Sequence, residues 1–249
     1  MVKSLNKKEI LKVKTFKNFI NETTTKLTTI DQVKDWLDSM DIKHYLVNPD
    51  LTVEVYGDAD LSNSNLTNIP VQFTYVSGNF DCDNNNLTSL KGCPNVVGVT
   101  FYCSFNKLTT LEGCPQKVGK NFYCNNNRLT NLEGAPKKIN GDFVCSFNKL
   151  TTLKYCPKEV GNGFYCNDNS LQSLVGAPKK VRVFNCSNNE LKSLKGSPEI
   201  VNGSFFCNDN NLVDLEGAPK LVGGNFYCLN NPIKDFYSIS GKVNGKIFK

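Results

Sequence analysis

The chain has 249 residues, with 29 Lys and Arg, 23 Asp and Glu, 11 Cys and one His. It contains no run of about 18 apolar residues, so the sequence predicts no membrane-spanning helix, and its start has no apolar segment typical of a secretory signal. The formal net charge of +6 is uneven. Residues 1 to 20 hold six Lys and one acid, whereas residues 21 to 249 hold 23 bases and 22 acids. The main body is therefore not predicted to bind a polyanion by charge alone.

The N-terminal segment, residues 1 to 27, predicts a basic helix and a linker. Asn6 with Glu9 three residues later is the capping-box pattern of a helix N-terminus, and apolar residues follow at helical spacing. The stretch "NETTTKLTT" is typical of a flexible linker. Two roles for the helix stay open. It packs on the rest of the chain, or its lysine face contacts an acidic partner, a nucleic acid or a membrane surface.

Residues 28 to 58 predict a small α/β cap. The sequence "TIDQVKDWLDSM" is typical of a helix with Thr29 or Asp31 as its N-cap. Its apolar side is predicted to hold Ile30, Val33, Leu37 and Met40. The sequence "HYLVNPDLTVEVYGDADL" predicts two strands around an Asn-Pro-Asp turn. A unit of this kind covers the core and the strand edge that the end of a repeat array exposes.

Residues 59 to 249 form a tandem repeat. Its copies read F-x-C-x-x-N-x-L-x-x-L, usually followed by G-x-P-x-x-V. The cysteines recur every 21 residues, with one step of 20, at Cys82, Cys103, Cys124, Cys145, Cys166, Cys186, Cys207 and Cys228. A degenerate copy, "ADLSNSNLTNI", precedes them, and a truncated copy follows, since Ile247 falls 21 residues after Phe226. About nine copies plus the truncated one indicate stacked supersecondary units.

The pattern resembles the leucine-rich repeat, L-x-x-L-x-L-x-x-N-x-L, with Phe and Cys in two of the Leu positions. The short period and the Pro resemble the bacterial subclass found in enterobacterial type III secreted effectors. The Asn- and Lys-rich composition of the repeats is similar to that of small repeat proteins of tailed phages. The resemblance covers residues 51 to 249. It implies a leucine-rich-repeat solenoid with a parallel β-sheet on the concave wall, a mostly loop convex side and a small α/β N-terminal cap.

The residues themselves predict the same strand. In "NFYCN", Phe122 and Cys124 alternate with Asn121, Tyr123 and Asn125, which is the period of a strand with one buried face. Because G-x-P turns the chain back, one strand per copy gives a parallel sheet. The Asn of each copy is predicted to stack in a ladder and to satisfy backbone groups of the turn. The ladder comprises Asn85, Asn106, Asn127, Asn148, Asn169, Asn189, Asn210 and Asn231.

The copy around Phe184 is one residue short, because "GAPKKVRVFNC" corresponds to "GAPKKINGDFVC". We expect the loop before Phe184 to absorb the deletion, because a slip in register would turn Phe184 outward.

The repeated cysteines are predicted to pack as small hydrophobic side chains. Cys93, Cys114 and Cys156 occupy the x of G-x-P or its variant, a position that Ala fills in other copies. The odd number and the repeat spacing do not fit a disulfide framework, and the C-x-x-C and Cys-His patterns of metal sites are absent from the sequence. We expect reduced thiols and hence the cytoplasm, or the host cytoplasm if the chain is phage-encoded.

Sequence motifs of catalysis are also absent. His44 has no Cys or acid at a motif spacing, and no G-x-S-x-G, G-x-x-x-x-G-K-[ST] or H-E-x-x-H pattern occurs. We therefore expect a protein that is not an enzyme and needs no cofactor.

The outward positions of the strands contain a candidate partner-binding site in the middle copies. It combines aromatic side chains with a basic margin and comprises Tyr102, Phe105, Lys107, Tyr123, Arg128, Val144, Phe147, Lys149 and Tyr165. Exposed aromatic patches are typical of interfaces, although Tyr columns also stack on one another on a β-surface. Toward the N-terminal end the wall is acidic, with Asp58, Asp60, Asp81 and Asp83.

These features favour a scaffold that binds a partner protein on its concave face, because a wall with two charge signs suits a partner of matching pattern. One version is a phage- or bacterium-encoded factor that acts on a host protein. Single-stranded nucleic acid needs a continuous basic groove, and the Asn and Asp columns of this wall disfavour it. Single-stranded nucleic-acid binding, glycan binding and a structural role in a virion or envelope stay open as alternatives. We expect a monomer.

Overall fold

The structure is a computed structural model that describes residues 27–234, 236 and 241–249. The predicted basic helix of residues 1 to 20 lies outside the described residues. No helix in the described ranges has the length and apolar character needed to span a membrane.

The first described element is helix α1, Ile30–Ser39. Thr29 is its N-cap, and Thr29 and Gln32 form a reciprocal capping box. The prediction for the apolar side was wrong at one position, because Ile30 is 37% exposed. The fully buried Trp36 instead faces the core, where its ring centroid lies 6.4 Å from that of Phe73.

The predicted hairpin follows the helix. Strand β1, Tyr45–Val47, pairs antiparallel with strand β2, Thr52–Val55. Val53 and Val55 are fully buried, which places one face of the hairpin against the core.

Each repeat contributes one strand to a ten-stranded parallel sheet, which we call the front sheet. Its strands are β3 Ala59–Asp60, β5 Phe80–Asp81, β7 Phe101–Tyr102, β9 Phe122–Tyr123, β11 Phe143–Val144, β13 Gly163–Tyr165, β15 Val183–Asn185, β17 Phe205–Phe206, β19 Phe226–Tyr227 and β21 Ile247–Phe248. The truncated copy is in register, with Ile247 beside Phe226. The degenerate copy is also in register, with Ala59 beside Phe80.

A second strand per repeat was not predicted. These strands form what we call the side ladder: β4 Gln72–Val76, β6 Val96–Val97, β8 Lys117–Val118, β10 Lys138–Ile139, β12 Glu159–Val160, β14 Lys180–Val181, β16 Ile200–Val201, β18 Leu221–Val222 and β20 Lys242–Val243. The ladder consists of three sheets, the first of which includes the β1–β2 hairpin. In most of these strands, the Val or Ile at the end of G-x-P-x-x-V is buried and the residue before it is more exposed, as alternate positions of a strand are.

The core is a continuous stack of phenylalanine rings. From Phe80 to Phe226, the centroids of neighbouring rings lie 5.1 to 5.9 Å apart. Phe73 meets the first of these rings edge-on at 5.2 Å, and Trp36 covers Phe73. The helix therefore closes the N-terminal end of the stack, as a terminal unit must.

The asparagine ladder has the predicted role. The Oδ1 atom of Asn106 accepts the Leu87 N–H at 2.9 Å. Its Nδ2 atom donates to Cys82 O at 2.9 Å and to Ser104 O at 3.1 Å. The same pattern recurs along the ladder. Each buried amide thus joins two turns through groups that the strands leave unpaired.

The short copy keeps its register, as predicted. Phe184 lies beside Phe164 and Phe205, and both Phe184 and Cys186 are fully buried. Only Arg182 separates strands β14 and β15, so the corner between the side ladder and the front sheet absorbs the deletion.

All eleven cysteines are buried free thiols. In the eight copies with the F-x-C pattern, the thiol donates to a carbonyl of the next turn; Cys145 Sγ, for example, lies 3.4 Å from Tyr165 O. That carbonyl also accepts the Cys145 N–H at 2.9 Å. Burial raises the pKa of the Cys145 thiol well above its ordinary value, which keeps the thiol protonated.

Candidate functional site

The outward side chains of the front sheet form what we call the front face. Between each buried Phe and Cys lies one half-buried position, because alternate residues of a strand point to opposite sides. This column contains Asp81, Tyr102, Tyr123, Val144, Tyr165, Asn185, Phe206, Tyr227 and Phe248.

Part of this column is stacked on itself. The rings of Tyr102 and Tyr123 are 5.1 Å apart and 8° from parallel. At the other end, Tyr227 stacks at 4.6 Å on both Phe206 and Phe248. The C-terminal stack is absent from the predicted site. The register of Ile247 with Phe226 could have revealed it, because that register puts Phe248 in the column.

Val144 interrupts the column between Tyr123 and Tyr165. The missing ring leaves an open depression of about 450 Å³, which we call the Val144 notch. The notch is lined by Tyr123, Asn125, Asn126, Asp142, Val144, Ser146, Phe147, Tyr165 and Asn167. Four predicted site residues, Tyr123, Val144, Phe147 and Tyr165, therefore share one concavity.

The corner of the notch is held by Asp142. Its Oδ1 atom accepts the Gly163 N–H at 2.8 Å and Asn162 Nδ2 at 2.7 Å. Burial, with a smaller contribution from Asp142, raises the pKa of Tyr123 and of Tyr165. Both phenols are therefore neutral at ordinary pH and offer hydrogen-bond donors beside apolar rings.

Gly163 gives Tyr165 its position. A Cβ atom on Gly163 would lie 2.4 Å from the Tyr165 ring. The ring therefore rests on the glycine, and a larger residue there would push it out of the notch.

The residue two positions after each cysteine has a left-handed backbone. Its φ angle lies between 52° and 55° at Asn84, Phe105, Asn126, Phe147, Asp168, Asn188, Asp209 and Asn230. Asn and Asp adopt this conformation more easily than other side chains with a Cβ, because their short polar groups bond locally. The side chains of this column also bond from turn to turn, as where Asn230 Nδ2 donates to Asp209 Oδ1 at 2.8 Å. The column therefore suits Asn or Asp, and two copies depart from it.

Phe105 and Phe147 are the two departures. Their φ angles are 53° and 54°, and the residues are 54% and 52% exposed. A bulky residue in this conformation is strained, and at this exposure neither residue contributes its full apolar area to the core. Backbone strain that packing does not explain is a feature of functional positions.

The predicted basic margin runs beside these phenylalanines. Lys107, Arg128 and Lys149 are exposed, and each follows a ladder asparagine. Their backbone N–H groups are fixed to the neighbouring turn, as in Lys149 N to Leu129 O at 2.9 Å. Their side chains make no ion pair within the described part of the chain.

At the acidic end of the front face, the carboxylates accept hydrogen bonds from backbone N–H groups of the loops. Asp58 accepts the Asn79 N–H at 2.6 Å, Asp81 accepts the Asp83 N–H at 2.9 Å, and Asp83 accepts the Ser104 N–H. Burial and then Asp81 raise the pKa of Asp83 to about 7. In the described residues, no three His, Cys, Asp or Glu side chains gather as metal ligands.

The stacked coils and the Asn ladder define a leucine-rich-repeat solenoid. No protein-family model and no curated protein sequence matches the chain. Among solved structures, the chain is similar to YopM from Yersinia enterocolitica WA-314, a leucine-rich repeat protein, with a TM-score of 0.51 at 16% identity. The match covers 73% of this chain and 48% of that one, so the chain spans about half the length of YopM. The resemblance read from the repeats is thereby confirmed for the fold.

Proposed function

We propose that the chain is a non-enzymatic scaffold that binds a partner protein on its front face. The observation that carries the proposal is the placement of Phe105 and Phe147 in a column where Asn or Asp fits the backbone. Two exposed phenylalanines that strain the fold contribute more to a complex than to the free chain. Aromatic side chains of this kind are common interface anchors.

The Val144 notch supplies the second part of the site. Its floor is a Val side chain, its sides are Tyr123, Tyr165 and Phe147, and its rim is polar. A pocket with these walls suits one apolar side chain of a partner. The basic margin and the acidic end favour a partner that places acidic groups opposite the margin and basic groups opposite the acidic end.

The short period and the Asn- and Lys-rich composition of the repeats support a phage or bacterial origin for the chain. A partner in the host cytoplasm is consistent with eleven buried free thiols, which persist in a reducing compartment. We also propose that the chain is a monomer.

The test is affinity capture from cells of the source organism or its host, with quantitative mass spectrometry. The bait is the wild-type chain or the double variant Phe105→Asn with Phe147→Asn. We expect at least one protein to be retained by the wild type and to be depleted about tenfold or more from the variant, because a buried aromatic anchor is worth about 2 kcal/mol.

The matched control is Val213→Asn, which removes an exposed apolar residue far along the array. It should retain the same partner. If the double variant and the control capture the same proteins as the wild type, the front face is not the binding surface. If deletion of residues 1 to 20 alone removes the partner, the basic segment is the contact element and the proposal fails.

A further inference from the structure

The outward side of the side ladder has a concentration of bases. On four consecutive turns, the two residues before the buried Val or Ile include six lysines: Lys117, Lys137, Lys138, Lys158, Lys179 and Lys180. All six are exposed. We call this set the lysine stripe.

The stripe is a regular array because the backbone is regular. Lys158 N donates to Lys137 O at 2.9 Å, so these lysines occupy one position on adjacent turns. Lys138, Lys158, Lys179 and Lys180 line a common trough of about 460 Å³. Adjacent turns are about 4.8 Å apart, so the four turns place six bases along roughly 15 Å.

The stripe is poorly neutralised. Glu159 pairs with Lys138 at 3.0 Å, and Glu199 of the next turn pairs with Lys179 at 3.6 Å. Among the described residues, no acid pairs with the remaining four lysines. Like charges on neighbouring strands repel each other. The main body is nearly neutral as a whole, yet the lysine stripe is a basic surface, because many of the acids lie in the cap and the first repeats.

We propose that the lysine stripe binds the phosphate backbone of a nucleic acid. Duplex DNA carries one negative charge per about 1.7 Å of its axis, and the stripe offers one base per roughly 2.5 Å. Lysine is a point charge that contacts phosphate without reading bases. The binding is therefore independent of sequence and sensitive to salt.

A nucleic acid fits the stripe better than an anionic membrane does. Peripheral membrane binding buries an apolar face together with its basic residues. On these four turns, the two positions before the buried Val or Ile hold lysines, Gln116 and Glu159, with no apolar side chain among them. The front face, where the sequence disfavours nucleic acid, is a different surface.

The test measures binding of a fluorescein-labelled 20-bp DNA duplex by anisotropy, from 50 to 200 mM salt. The variant is Lys137→Glu with Lys158→Glu and Lys179→Glu. The control is Lys91→Glu with Lys192→Glu and Lys195→Glu, which makes the same charge change at exposed positions outside the stripe. Log K falls with log salt with a slope of about −0.9 per phosphate contact, so the loss of three contacts should make the slope of the stripe variant less negative by ~2.7.

We expect the stripe variant to bind about tenfold or more weakly at 50 mM salt and the control to stay near the wild type. Equal weakening in both variants, or no binding of the wild type at 50 mM salt, overturns the proposal. So does wild-type binding to phosphatidylserine vesicles without binding to the duplex. If the Glu variant does not fold by circular dichroism, the Gln variant at the same three positions replaces it, with Gln at the three control positions.

Discussion

At the scale of single residues, the repeated thiol is chiefly a packing group. Its sulfur lies in the core beside the phenylalanine stack and donates only a long hydrogen bond, 3.4 Å from Cys145 Sγ to Tyr165 O. A thiol is a weak donor, and the same carbonyl already accepts a backbone N–H. Packing and hydrogen bonding make opposite predictions for two substitutions.

Replacement of Cys145 by Ser should lower the free energy of unfolding by about 1–3 kcal/mol, because the hydroxyl is costly in an apolar slot. Cys145→Ala should cost less than Cys145→Ser. Urea unfolding of both variants measures the order. A Ser variant that is more stable than the Ala variant would show that donation to Tyr165 O outweighs packing, and rapid thiol labelling of the folded wild type would refute burial.

Asp83 predicts a pH dependence of stability. Its pKa of about 7 in the folded chain lies above the ordinary value of about 4 in the unfolded chain. The folded state therefore holds the proton more tightly, and the contribution of Asp83 to stability falls as the pH rises from about 4 to about 7. Asp83→Asn keeps the acceptor for Ser104 N–H and removes the charge. It should raise the thermal midpoint at pH 8 and change it little at pH 4.

Asp50→Asn is the control of opposite sign. Hydrogen bonds from Thr52 hold the pKa of Asp50 below its ordinary value, so its contribution is present at pH 8 and lost as the pH falls. If Asp83→Asn lowers the midpoint at pH 8, the cost of burying the charged Asp83 beside Asp81 is not what limits stability at this end of the array.

At the scale of elements, the Val144 notch is a break in an otherwise aromatic column. Val144→Tyr restores the column, because Val144 lies in register with Tyr123 and Tyr165. The new ring should stack as Tyr102 and Tyr123 do, and stability should stay equal or rise by about 0.5–1.5 kcal/mol. Partner capture should be lost, because the notch is filled.

Asn185→Tyr is the matched control for the notch, since it adds the same ring to the same column one turn beyond Tyr165. It should leave capture intact. Intact capture by Val144→Tyr would show that the partner does not enter the notch.

Much of the element pattern could be predicted because the period is strict. Eight cysteines at nearly constant spacing define the front strands and the asparagine ladder, and the cost of turning Phe184 outward predicts where the deletion goes. The side ladder could not be predicted, because most of its strands offer only one buried Val or Ile after a turn-forming Pro. Trp36 is buried and Ile30 is exposed because the side of the helix that faces the core is the side that packs on Phe73, and Phe73 is distant in sequence.

The candidate site could be predicted in composition more than in geometry. The column of Asn and Asp two positions after the cysteine is a sequence signal for a left-handed backbone, and Phe105 and Phe147 depart from it visibly. The shape of the notch depends on the side-chain torsion angles of Tyr123 and Tyr165. The alternation of a strand places these residues on the outward face but does not specify those angles.

At the scale of the whole molecule, the solenoid presents two outward surfaces of different chemistry. The front face combines aromatic side chains with a short basic margin and an acidic end, and the side ladder displays the lysine stripe. Because each repeat contacts mainly its neighbours, substitutions on one surface should leave the other nearly unchanged. Partner capture and duplex binding are therefore separable.

The central claim is that Phe105 and Phe147 are present for binding and not for folding. The most direct test is urea unfolding of the double variant Phe105→Asn with Phe147→Asn. Asn suits the left-handed backbone better and replaces residues that are about half exposed. We predict that the free energy of unfolding rises by roughly 0.5–1 kcal/mol per site. A fall of that size would contradict the account, because it would make the two phenylalanines part of what holds the fold together.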